Sequence, residues 1–347
     1  MKTVTRREFI RVSSGVLSGL LITPSTALSF QRIPPRIQCV TTSKEASFMG
    51  VSLIHEHILV DFIGADKYNP NRWYRDQVLK KVLPYLQEVK ALGCQTIVDC
   101  TPAYLGRDPL LLKLVSQATG IQIITNTGYY GARQNKFLPA FAFTESADQL
   151  ASRWVREFKR GIDDTGIKPG FIKIGVDPEP LSPIHQKLVQ AAARTHLKTG
   201  MVIASHTGPA IPAFEQMEIL RNEGVHPQAF IWVHAQSEPE KEKYIEAVNE
   251  GAWVSLDGVS DQNVDEYLQL LLFMKEKQLW HRTLVSHDAG WYHPGEPKGG
   301  EFRPFTTIHK KLLPLMVQNG FTQVEIDQLL KVNPANAFAI RVKPLVK

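Results

Sequence analysis

After Arg36 the chain alternates short apolar runs with longer stretches in which apolar residues recur every three or four positions. This is the rhythm of repeated strand and helix units feeding a parallel sheet. Eight runs have strand character, at 52–54, 96–100, 122–125, 171–174, 201–205, 229–233, 252–256 and 283–286. The amphipathic stretches between them include 77–92, 146–163, 183–199, 211–223, 238–250 and 265–277. Gly93, Gly120, Gly200, Gly224 and Gly251 each fall just past a helical stretch and before a strand, where a glycine ends a helix. Eight units with no Pro-, Gly- or Ser-rich linker among them predict an α/β fold, a single-domain TIM (β/α)8 barrel over residues 30–347.

The start of the chain breaks the rhythm. Basic residues precede a modestly apolar stretch, 16–22, and then small residues suited to cleavage near Ser29. The segment Thr5-Arg6-Arg7-Glu8-Phe9-Ile10-Arg11 resembles the twin-arginine export signal, carried by Arg6 and Arg7. It is too short and polar to span a membrane, so residues 1–29 read as a leader and the mature protein as periplasmic or secreted, without stable membrane insertion. The net charge of +6 is scattered rather than gathered in a basic run, which gives no footprint for nucleic acid. Cys39, Cys94 and Cys100 form no CxxC pair, and a strand between Cys94 and Cys100 would hold those sulfurs apart.

The functional groups of such a barrel sit at the carboxyl ends of its strands. The first strand ends in His55-Glu56-His57, the fourth carries Lys173, the fifth runs to His206, the sixth to His234 and the eighth to Asp288. His55 and His57 are two positions apart, so on a strand both face one side and can grip one cation, with Glu56 facing away. A lone His-x-His is weak among 11 histidines, and His206 or His234 taken singly reads better as structural. Delivery of all of them to one rim is what favours a metal site. His287 alternates with Asp288 and faces away; His185, His196, His226, His281 and His309 read as surface or structural, while loop residue His293 is within reach of the pocket.

Lys173 lies inside Phe171-Ile172-Lys173-Ile174, whose apolar residues anchor the strand and turn the amine into the barrel. An unpaired charge there is costly. The amine needs either an acid such as Asp288 or a modification. Reaction with carbon dioxide would make a carbamate, an anionic oxygen donor able to bridge two cations.

Ile54-His55-Glu56-His57-Ile58, Phe171-Ile172-Lys173-Ile174, Ser205-His206-Thr207-Gly208, Val233-His234, Leu284-Val285-Ser286-His287-Asp288 and Asn333-Pro334-Ala335-Asn336 together resemble the phosphotriesterase family of the amidohydrolase superfamily, its lactonases included. The resemblance implies two divalent cations, zinc by preference with manganese, cobalt or iron also suited to the ligands. His55, His57 and Asp288 would hold the buried one, His206 and His234 the exposed one, with N6-carboxylated Lys173 as the bridge. A bridging hydroxide would then attack, and Asp288 would take the proton. No Gly-x-Ser-x-Gly turn is present, so a serine hydrolase lacks its nucleophile. Family members often pair, which makes a homodimer an expectation.

Substrate choice belongs to the loops. In lactone-hydrolysing relatives a tyrosine stands at about the position of Tyr130, which implies a catalytic contact there; Tyr129 and Tyr130 otherwise read equally as packing. Trp73, Trp291 and Tyr292 are candidates for an apolar lining, and Lys298 and Arg303 for an anionic group. Ser255-Leu256-Asp257-Gly258 departs from relatives with an arginine or histidine after the aspartate, which weakens transfer of their preference. The expected activity is hydrolysis of a small lactone or related ester, with phosphotriesters second. An amide or cyclic-amide hydrolase on the same metals and a non-catalytic envelope binding protein stay open.

Overall fold

Alternate residues of each strand sort into two layers, and the chain closes them into a ring. The computed structural model describes residues 34–345, and Pro34–Lys347 is one compact unit. The expected leader, with Arg6, Arg7 and the expected cleavage point near Ser29, lies outside the described residues. Two short strands, β1 (Arg36–Gln38) and β2 (Ser43–Glu45), form an antiparallel hairpin. The ring follows: β3 (Ser52–Leu59), β4 (Thr96–Asp99), β5 (Gln122–Ile124) continued by β6 (Asn126–Thr127), β7 (Phe171–Gly175), β8 (Ile203–His206), β9 (Phe230–Val233), β10 (Trp253–Asp257), β11 (Thr283–Ser286) and β12 (Gly290–Tyr292). Neighbours pair in parallel from β3 to β5 and from β6 to β11.

Closure runs through the last turn of chain before the C-terminal helices. Asp288 N donates to His55 O (3.0 Å), His57 N donates to Ala289 O (2.9 Å), and β12 pairs with β3. All eight expected strands are present, and the fold is the TIM barrel. The third is interrupted at Thr125, and β12 extends the eighth, which the hydrophobic pattern does not reveal.

Helices cover the outside: Arg75–Ala91, Pro109–Thr119, Ala147–Arg160, Pro183–Thr199, Ala210–Asn222, Glu242–Asn249 and Val264–Glu276. Pro109–Thr119, which the sequence reading leaves unbounded, starts on Asp108, whose carboxylate accepts from Leu111 N with Pro109 in the first turn, and stops at left-handed Gly120. The expected 238–250 helix begins four residues late. Glu238 is spent on accepting Ala210 N and Glu240 N, so its own segment turns.

The barrel interior is a packed apolar column of Ile54, Val98, Phe171, Val202, Ile231 and Trp253, closed at its amino end by Ile37 of the hairpin and Phe338 of the last helix. Cys39, Cys94 and Cys100 are free and buried, and Cys94 and Cys100 lie in different layers of the core, so the strand does separate them. Among the described residues no helix is long and apolar enough to cross a membrane.

Candidate metal centre and active site

The apolar column ends where polar side chains begin. His55, His57, Lys173, His206, His234 and Asp288 line one cavity of about 90 Å³ at the carboxyl ends of the strands, together with Tyr130, Arg133, Phe62 and Trp291. Three departures from regular strand aim them. A register shift in β3 between Leu53 and Glu56 turns His55 toward the mouth although its neighbour Ile54 already packs inside. His234 (φ 61°) and Asp288 (φ 52°) take the left-handed conformation just beyond β9 and β11. Such backbone is uncommon for side chains other than glycine and gathers where a site dictates geometry.

Hydrogen bonds fix which histidine nitrogens face the cavity. Thr101 Oγ1 donates to Leu59 O (3.0 Å) and so accepts from His57 Nδ1 (2.8 Å), leaving His57 Nε2 bare. The Asp257 carboxylate accepts from His55 Nδ1 (2.9 Å) and His234 Nδ1 (2.6 Å), from Ser255 Oγ (2.7 Å) and from His234 N (2.9 Å). Burial opposes charge on Asp257, and the two histidines outweigh it, holding its carboxyl well below the usual range. Burial also opposes charge on His234, where Asp257 prevails and raises the imidazole pKa. At His55 burial wins, with Lys173 adding to it, and the pKa falls to about 4.

His57 Nε2 lies 3.1 Å and His55 Nε2 3.7 Å from Asp288 Oδ1. Burial resists the charge on Asp288, but His55 and His57 together keep its carboxyl ionised. Two imidazole nitrogens and a carboxylate oxygen converging this closely need a proton or a cation among them, and the three residues form a metal-sized group. The second such group, His55, His234 and Asp257, is different. Its atoms are joined directly by hydrogen bonds, so it orients ligands instead of holding an ion.

The other side of the cavity lacks such bonding. Lys173 is 1 % exposed, and its Nζ has no hydrogen-bond partner among the described residues. The alternative in which an acid pairs with Lys173 finds no support. His206 packs against His234 (ring centroids 4.4 Å) and Tyr130 (5.0 Å); burial first, then His234, holds its pKa well below the usual value. Tyr130 and Tyr129 divide the roles left open above. Tyr130 faces the cavity, while Tyr129 packs on Trp154 and Phe141.

Several neighbours fall elsewhere than the sequence suggests. Trp291 lines the cavity, but Trp73 donates to Asp108 in a separate one, and Tyr292 packs under Gly299. Arg303 lies over the Trp291 ring (4.0 Å) and donates to the Asp288 carbonyl. Lys298 does not reach the cavity, and His293 stays at its edge beside Phe62 and Trp291. Glu56 faces away, as the alternation requires, yet it is not idle. Its carboxylate accepts from Ser286 Oγ (2.8 Å), His287 N (3.1 Å), His287 Nδ1 (2.8 Å) and Ala289 N (2.9 Å), clamping the chain on both sides of Asp288. Asp257, Thr101 and Arg133 were not singled out by spacing, because each acts through a partner brought near only by folding.

A model of the Phosphotriesterase family matches residues 35–338. The chain belongs to the Phosphotriesterase family. It is 27% identical over 293 residues to the Phosphotriesterase homology protein of Escherichia coli (strain K12), covering 83% of this chain and 98% of that one. It is 27% identical over 309 residues to the Aryldialkylphosphatase of Saccharolobus solfataricus, covering 86% and 97%. Among solved structures, the Organophosphorus Hydrolase from Deinococcus radiodurans superposes with a TM-score of 0.78 at 26% identity, over 89% of this chain and 99% of that one. The chain is therefore a hydrolase of this family, with His and Asp groups suited to metal.

Proposed function

We propose that the protein is a binuclear metal-dependent hydrolase of a lactone or related ester, with phosphotriesters as a secondary substrate. The observation that carries this is the unpartnered Lys173 amine at the centre of four histidines and Asp288. A buried lone ammonium is costly, and a carbamate with cations beside it removes that cost. The donor set fits: His55, His57 and Asp288 would hold one cation, His206 and His234 the other, and carboxylated Lys173 would join them. Zinc is the first choice, with manganese, cobalt and iron accommodated by the same ligands. When bound, the cations supply an acidified water and polarise the scissile carbonyl or phosphoryl.

The chain's own residues do the rest. Asp288, ionised and open to the cavity, accepts the proton released on attack. Burial raises the Tyr130 phenol pKa above its ordinary value, so Tyr130 remains a neutral donor to the substrate oxygen. Phe62 and Trp291 give the cavity an apolar wall against which the rest of the substrate would pack. Relatives named phospho-furanose lactonase and N-acetyltaurine hydrolase show that the family spans ester and amide chemistry. That keeps amide hydrolysis as the second reading, and a leader at residues 1–29 would carry either activity out of the cytoplasm.

The test is metal content per chain on purified mature protein, with hydrolysis of a small lactone panel, matched amides and one aryl phosphotriester. About two metals, with activity lost to a chelator and regained on reloading, is the expected result. One metal or none in fully active protein would overturn it, and faster turnover of the amides would put the second reading ahead.

A further inference from the structure

A cavity of about 90 Å³ holds little more than a reacting bond. It adjoins one of about 670 Å³ with which it shares Phe62, Arg133 and Trp291. Whatever part of a substrate does not fit the inner space lies in the outer one. The outer cavity carries Lys136, Asp177 and Glu179, but Arg133 is the charged residue that lines both. It stands at the step where the reacting head ends and the remainder of the substrate begins.

Arg133 also differs from neighbouring arginines in having no ion-pair partner among the described residues. Arg72 pairs with Asp61, Arg75 with Asp108, Arg107 with Glu157 and Arg153 with Glu145. Arg133 has no carboxylate partner among the described residues. Asp177, on the facing segment, accepts Gln134 N (3.2 Å) and lies 3.8 Å from His185 Nε2, and it does not reach Arg133.

The backbone that presents Arg133 is strained. Arg133, Gln134 and Asn135 are successive left-handed residues, with φ of 62°, 57° and 62°. Three such residues in a row are unfavourable for side chains with a Cβ and persist only where surroundings over-determine them. Here they do: Asn135 N donates to Gly131 O (3.0 Å), His185 Nε2 reaches both Asn135 Oδ1 and Gly131 O (3.1 Å each), and Ala65 N donates to Lys136 O (3.0 Å). The turn is fastened from three sides, and the guanidinium it carries stands beside the Tyr130 phenol at the cavity, with no acid paired to it among the described residues.

We propose that Arg133 binds an oxyanion, a carboxylate or phosphate, carried by the substrate next to the scissile bond. A planar guanidinium with several donors suits such a group, and Lys136 adds positive charge beyond it. Glu179 in the outer cavity disfavours an anion farther out, which places the group beside Arg133. The inference rests on the ester-hydrolase reading and narrows its substrate to an anionic lactone or ester.

The test compares three lactones of one ring size with a neutral, a carboxylate or a phosphate substituent, on metal-loaded wild type, Arg133→Met, Arg133→Lys and Arg133→Gly. Wild type should favour an anionic lactone, and whichever anion it favours identifies the source. In Arg133→Met that preference should fall about thirtyfold, mainly through KM, with partial recovery in Arg133→Lys. Arg133→Gly accepts the left-handed backbone without the side chain, so an equal loss there assigns the effect to the guanidinium and not to a disturbed turn. An unchanged preference in Arg133→Met, or none in wild type, would overturn the proposal. If wild type cleaves no lactone, the ester reading fails separately. Inorganic phosphate then decides: a thermal shift that vanishes in Arg133→Met at equal metal content supports the subsite, and an identical shift in both proteins overturns it.

Discussion

The two sides of the candidate metal centre are built differently. On one, His55 and His234 are tied to Asp257, His57 is tied to Thr101, and the segment bearing Asp288 is clamped by Glu56. On the other, Lys173 Nζ has no hydrogen-bond partner among the described residues, and the His206 ring packs against His234 and Tyr130. The bonded side is preorganised by the protein alone, because each imidazole has one nitrogen fixed and the other bare. Under the proposed function, the unbonded side would be completed by something the chain does not encode, a carbon dioxide adduct and cations. The same barrel thus supplies rigidity on the side that carries His55, His57 and Asp288 and leaves room on the side that carries Lys173 and His206.

Four variants would break or sharpen that contrast. Lys173→Ala strikes the unbonded side and should have the largest effect, a loss of about 10³-fold in kcat/KM with loss of bound metal; metal content unchanged at two per chain would refute the bridge. Asp257→Asn strikes the bonded side, releasing His55 and His234 together, and should weaken metal binding about 100-fold in a chelator competition. Wild-type affinity in that variant would show that the bonding is incidental.

Glu56→Gln comes third. The amide supplies one acceptor where a carboxylate served four donors, so we expect about 2 kcal/mol less stability and a melting temperature lower by roughly 5 °C, with about tenfold lower activity. A melting temperature unchanged within error would mean the clamp around Asp288 contributes little. Tyr130→Phe is the mildest, about threefold to tenfold in kcat at unaltered metal content; a drop as large as that of Lys173→Ala would give Tyr130 a far greater part than hydrogen-bond donation.

The sequence was most informative where a periodic rule applied. Period-two alternation correctly put Glu56 and His287 on the face away from the cavity and Lys173 inside it, and βα repetition marked all eight strands. It was least informative where geometry departs from period. Nothing in Val233-His234 or His287-Asp288 announces a left-handed turn, and Trp73 and Tyr292 were placed near the pocket only because their loops were.

By itself, then, the sequence determined the barrel, the rim on which its polar residues gather and the chemistry those residue types allow, because all three follow from local spacing and side-chain type. Tertiary structure alone decided that one carboxylate, Asp257, orients two histidines, one on β3 and one just beyond β9, that Glu56 grips the chain around a residue 232 positions later, and that Arg133 stands between two cavities with no acid paired to it among the described residues. These are contacts between distant segments. Only closure of the ring brings their partners within hydrogen-bonding reach.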